Sequence, residues 1–276
     1  MTTTEDTTIV PDDGKTAGRR SWLRFRPRSN WRHVKIVIVA LLLGVAVNYG
    51  VLGPMTHNID ADPEFQATLV PENGSAAVAT AAALIDRELN QHGWTPNDQW
   101  FAPSGILDNM PNFQIGVVSA VGRFSFEMLD QIGRRSGSSS ADPDLERASG
   151  FLQYPPDIWI WEPSTSLLPG VPSERQYRQG LAALQSYNAR LGRGEAVFER
   201  RTDTLAQALA RISDDLGSQT SQIDRAQATG WLMFSQTADD VFYRNKGLMY
   251  AYGIILASFD KDFSQVIQEN NLGPIW

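Results

Sequence analysis

The chain has 276 residues, 42% of them apolar and 10% aromatic, which is the composition of a packed fold and not of a disordered one. It contains no cysteine, which excludes disulfides, thiolate nucleophiles and Cys-ligated zinc or iron–sulfur centres. The net charge of −7 is unevenly spread: residues 1–35 hold eight Lys and Arg against four Asp and Glu, while the remainder holds 16 against 27. So acidic a remainder disfavours nucleic acid as a partner.

The first element is the apolar run Val34 to Gly53, with Lys35 its one charge. At about 1.5 Å per residue, twenty helical residues span about 30 Å, the thickness of a bilayer core. Trp31 and Tyr49 fall near its two ends, where amphipathic rings favour the membrane interface. Seven basic residues and no acid lie between Arg19 and Lys35, and Asp60, Asp62 and Glu64 follow the run. That asymmetry predicts a cytoplasmic tail over 1–33, a single transmembrane helix over 34–53 and export of everything beyond. The tail's positive charge also suits anionic lipid headgroups. Two rival readings are a signal peptide cleaved near Gly44-Val-Ala46 and a twin-arginine signal at "RRSWLR". Continuation of the apolar run past the first site and the further basic residues after the second favour an uncleaved anchor.

Residues 54–73 lack periodicity and read as an extended linker. A mainly α-helical exported domain is predicted over 74–276. From Ser75 to a stop at Gly93, Val78, Ala81, Ala82, Ile85 and Leu89 recur on one helical face. "GWTPNDQWFAPSGILDNMPNFQIG" (93–116) has no period, and Asn109 before Met110-Pro111 suits a helix start. Phe113 to Ile132 reads as a buried helix, and the "GVVSAVG" within it as a close helix contact. Residues 136–144 form a surface loop leading into the next helix, and 154–174, with five Pro, a second aromatic connector. From Leu181 to Ile223, steps of three and four place Leu184, Leu191, Phe198, Leu205, Leu209, Ile212 and Leu216 on one coiled-coil-like seam. The register runs unbroken across Gly192 and Gly194, favouring one long helix. Residues 237–267 read as a last helix whose apolar core is too short to span a bilayer. No strand pattern is present.

No reactive motif stands out. His33, His57 and His92 lack metal-ligand spacing, and there is no nucleophile elbow, phosphate loop or dinucleotide fingerprint. No metal, cofactor or catalytic residue is assigned. Asp239 and Asp240 are weak carboxylate candidates, which the opposing reading makes helix N-terminal acids. Trp94, Trp100, Phe101, Asp108 and Asn109 form a candidate contact surface. The opposing reading makes the rings, with Phe113, pins that fix a loop onto helices.

The blocks "GWTPND" (93–98), "ILDNMPNFQIG" (106–116), "QYRQG" (176–180), "RGEAVFERR" (193–201) and "ADDVFYRNKG" (238–247) resemble a family of proteobacterial inner-membrane proteins catalogued only as a domain of unknown function. The resemblance implies a single-pass anchor in a bacterial inner membrane, an exported helical domain that is periplasmic and a further C-terminal element; it implies no reaction or ligand. Three functions are compatible with this reading. The first is a membrane-anchored envelope protein that contacts lipid and binds protein partners, or itself, through helices. The others are a periplasmic ligand-binding or sensory module and a carboxylate-dependent envelope hydrolase.

Overall fold

The computed structural model describes residues 31–135, 141–161, 167–228, 236–274 and 276. Helix α1, Trp31–Val47, continues through a π turn at Asn48–Leu52 into the short α2, Gly53–Thr56. Together Trp31–Thr56 is the one helix among the described residues that is long and apolar enough to cross a membrane, and it contains the expected run 34–53. The chain divides into two units, Met1–Leu43 and Gly44–Trp276, and all the later helices belong to the second.

The first residues of the expected linker 54–73 belong to α2, and residues 57–74 are irregular, with turns at 63–64 and 72–73. Ser75 then caps α3, Ala76–Asp86, its hydroxyl accepting from the Val78 amide at 3.2 Å. The α3 helix runs into a π turn, Arg87–Gln91, and stops before Gly93. Helix α4, Asn109–Arg135, begins at the expected Asn109. The first helix after the serine-rich stretch is α5, Pro143–Leu152, capped by Asp142 with Pro143 in its first turn; residues 136–140 of that stretch lie outside the described residues. Helices α6, Ser173–Gly192, α7, Thr202–Ala228, α8, Gln236–Asp262, and α9, Ser264–Glu269, complete the order. Among the described residues there is no strand. The fold is a helical bundle.

One long helix from 181 to 223 does not form. The chain leaves the helix after Gly192, Gly194 takes φ +73°, and the Glu195 amide closes back onto the Arg190 carbonyl at 2.9 Å. The seam reading is corrected accordingly. Leu205, Ala208 and Ile212 are buried in α7, Leu216 is half-buried and Leu209 stands 37% exposed. Phe198, which has the seam's register, lies in the loop and meets the Phe263 ring at 5.9 Å.

Helices α4 and α8 form the centre. Helix α5 lies on α4, α3 and α7 on α8, and α6 on α5 and α3. The central crossing requires glycine on both sides: a Cβ on Gly116 would overlap the Arg244 carbonyl, and one on Gly247 the Phe113 carbonyl. Gly122 approaches Leu152 of α5 in the same way, so "GVVSAVG" is a packing face. The C-terminal end of α8 carries a buried acid with no signal in the sequence. Asp262 accepts from Ser75 Oγ at 2.7 Å and from the Ala76 and Ala77 amides at 2.9 Å. A carboxylate there satisfies free N–H groups of α3 and complements its dipole.

Candidate functional site

The connector 93–108 is held at its base by buried polar side chains. Gln114 of α4 donates to the Gly93 carbonyl at 2.8 Å and accepts from the Thr95 amide at 3.0 Å and hydroxyl at 2.8 Å. Trp94 is 5% exposed, packs edge-on against Tyr177 at 4.9 Å and donates its indole N–H to the Pro156 carbonyl at 3.0 Å. Asn97 donates to the Ile158 carbonyl and to Glu174, each at 2.8 Å. The first aromatic connector is therefore stitched to the second at Pro156 and Ile158. Ser173 adds to this by donating to the Pro155 carbonyl at 2.7 Å and accepting from the Ile158 amide at 3.0 Å. Phe113 is fully buried. As pins, Trp94 and Phe113 match expectation.

Trp100 does not. It is 73% exposed and Phe101 is 55% exposed, the two rings meeting edge-on at 5.7 Å. Phe101 also contacts Trp159 of the second connector at 6.2 Å, and Ile106 is exposed nearby in sequence. The reason is the tight turn series from Gln99 to Leu107, in which successive amides bond back three residues and turn these side chains outward. Asp98, at the start of this series, accepts from Ser104 Oγ. Burial, with Glu174 nearby, raises the Asp98 carboxyl above its ordinary range despite that hydroxyl.

The remaining candidates come together at the N-terminal ends of α4 and α8. Asn112 donates to Asp240 at 2.8 Å, and the Asn109 amide, oriented to satisfy both neighbours, donates to Asp239 at 2.6 Å and to Asp108 at 3.2 Å. Burial, followed by the Asp108 and Asp239 charges, raises Asp240 above the ordinary carboxylate range; Arg244 and Asn112 oppose the shift. Amide donors thus separate three carboxylates and tie one helix start to the other. Among the described residues no group of three His, Asp or Glu side chains is arranged to hold a metal ion.

A buried polar centre lies where the sequence carries no motif. Arg87 and Glu88, both essentially inaccessible, pair at 2.8 Å within the π turn. Arg87 also donates to the Tyr250 hydroxyl at 2.9 Å, lies 3.4 Å from Asp60, and sits between the Phe65 and Tyr250 rings at 4.7 and 5.1 Å. Burial alone would lower the guanidinium pKa, but Glu88 and Tyr250 outweigh it and the net shift is upward. Adjacent charged residues beside a glycine stop give no sequence signal for this centre, because its partners come from the linker and α8.

A cleft of about 470 Å³ lies between the linker, residues 65–71, and helices α3 and α6. Its lining includes Ala79, Ala82, Gln185 and Asn188, with Asp86 as its one carboxylate. A second, of about 340 Å³, runs between α4 and α7 and is laced by the Arg123–Asp215 pair at 2.9 Å and the Arg211–Glu127 pair at 3.3 Å.

Comparison with curated proteins and with solved structures returned no match. A family model described as "Uncharacterized protein conserved in bacteria (DUF2333)" matches residues 28–230, well over half of the chain. The chain belongs to that family.

Proposed function

We propose that the protein is a membrane-anchored component of the bacterial cell envelope whose exported helical domain binds protein partners. The observation that carries this reading is the apolar helix Trp31–Thr56 behind a basic, acid-free flank, an arrangement that fixes one end of a chain in the cytoplasm and commits the rest to export. The chemistry of the domain favours contact over catalysis. Its convergent polar groups, around Arg87, Asp262 and Asp240, are engaged with helix ends and with one another; the cleft beside the linker brings one carboxylate where a glycosidase-type hydrolase needs two, and in the α4–α7 cleft Asp215 and Glu127 are paired with arginines. The bundle meanwhile presents large apolar side chains to solvent: Phe126 on α4, and Phe242 and Met249 two turns apart on α8. Phe242 and Met249 share one face of α8, and apolar side chains grouped in that way favour a binding face.

Site-specific photocrosslinking in living cells tests the reading. A photoreactive residue at Phe242 or Met249 of the full chain should yield a discrete protein adduct, either with another protein or with a second copy. The same residue at Arg147, an exposed charged site, should yield none. Absence of adducts from both apolar positions would overturn the interaction reading. The cleft beside the linker favours the ligand-binding alternative, which would then be taken up by thermal-shift screening of small periplasmic metabolites.

A further inference from the structure

The backbone of the first connector's outward turn sits against the emerging end of the apolar helix, with its Trp100 and Phe101 rings left exposed. Asn48 donates its side-chain amide to the Phe101 carbonyl at 3.1 Å, and the Tyr49 hydroxyl donates to the Trp100 carbonyl. One turn on, Gly53 is buried, and a Cβ there would lie 2.9 Å from the Pro103 carbonyl oxygen. The connector is therefore bonded along the last turns of that helix. From these contacts, and resting on the anchor reading above, we infer that Gln99–Leu107 is a membrane wedge. Trp100, Phe101 and Ile106 enter the headgroup and upper acyl region of the leaflet from which the helix emerges.

Depth, charge and hydrogen bonding converge on lipid as the occupant. The apolar run ends at Gly53 and Tyr49 lies four residues earlier, which at 1.5 Å per residue is about 6 Å inside the end of the span. Interfacial segments bury their apolar face by about 5–10 Å. Gln99 to Leu107 carries no charged side chain, and the acids that bound it, Asp98 and Asp108, mark the limits of what can enter. Backbone carbonyls near hydrocarbon are costly when unpaired, and those of the two leading aromatics are the ones that Asn48 and Tyr49 satisfy. Trp is favoured at the membrane interface, with its ring in the apolar layer and its N–H toward water. Contact between Phe101 and Trp159 extends the same surface to the second connector, where Ile160 and Trp161 are also exposed.

The test uses the full chain reconstituted into phosphatidylethanolamine–phosphatidylglycerol vesicles. Subtracting the emission of Trp100→Phe from that of the parent isolates Trp100; subtracting Trp31→Phe isolates Trp31, a reporter for the anchor alone. Brominated acyl chains should quench most of both difference emissions, and aqueous iodide should leave Trp100 largely unquenched. If bromolipid quenches Trp31 while iodide quenches Trp100, the anchor stands and the wedge is overturned. If bromolipid quenches neither, the anchor reading fails and the wedge with it. A Trp100 shielded from both quenchers would also overturn the wedge, the occupant then being protein.

Discussion

Arg87 carries an inaccessible charge whose partners come from the linker, its own turn and α8. Removing one member of a buried ion pair leaves the other uncompensated and costs about 3–5 kcal/mol. Arg87→Met keeps most of the stem's volume and removes only the guanidinium, so it should destabilise the bundle by about that amount, on the order of half the stability of an ordinary domain. Glu88→Gln in the same background should recover part of the loss by discharging the stranded carboxylate. Urea unfolding of the detergent-solubilised chain reads both, and an Arg87→Met within about 0.5 kcal/mol of the parent would show that the rings, not the charge, hold the linker. None of this is legible in the sequence. "DRELNQHG" reads as the solvated end of a helix, and only the return of the linker through Asp60 and Phe65 converts it into a core. Trp94 and Trp100 present the same limit. Identical residues six positions apart, in the same Pro- and Gly-rich stretch, take opposite fates because one indole finds the Pro156 carbonyl and the other rides on an outward turn.

Element boundaries are legible where capping chemistry marks them: Ser75 and the Asp142–Pro143 pair each open a helix, and Asn109 stands at the start of α4. The break between α6 and α7 is hidden for a physical reason. The nine residues 193–201 preserve the apolar register because Phe198 packs against Phe263 from the loop, so core contact continues although the helix does not. Periodicity reports burial at regular spacing, not helical backbone, and Gly194 is the better guide. The seam in α7 can be tested position by position. Leu205→Ala removes a side chain only 3% exposed and should cost about 2–5 kcal/mol. Leu209→Ala, at the edge of the face, should cost well under that, about 1 kcal/mol or less. Equal losses at the two positions in parallel unfolding experiments would mean that Leu209 is covered in solution, which would point to self-association along α7.

At the scale of the whole molecule, the proposed anchor rests on two features read without assigning any element, a basic, acid-free flank and the apolar run that follows it. The carboxylate candidates need the fold. Asp108 and Asp240 lie far apart in sequence and feel each other's charge across the crossing of α4 and α8, which approach at backbone contact at Gly116 and Gly247. Orientation is the property that everything proposed for this protein depends on, and the flank that sets it can be reversed. A reporter that becomes active only after export, fused at Trp276, should be active on the parent chain. Changing Arg24, Arg26, Arg28 and Arg32 to Glu converts a flank of seven basic residues and no acid into one of three against four. The basic bias that retains a segment in the cytoplasm is then lost. Reporter activity should fall several-fold in this variant while its amount in the membrane fraction is unchanged, because the apolar run that drives insertion is untouched. A silent, well-expressed parent fusion would place the helical bundle in the cytoplasm. Full activity of the four-Glu variant would show instead that export is decided downstream of the flank, by the folding or charge of the domain itself.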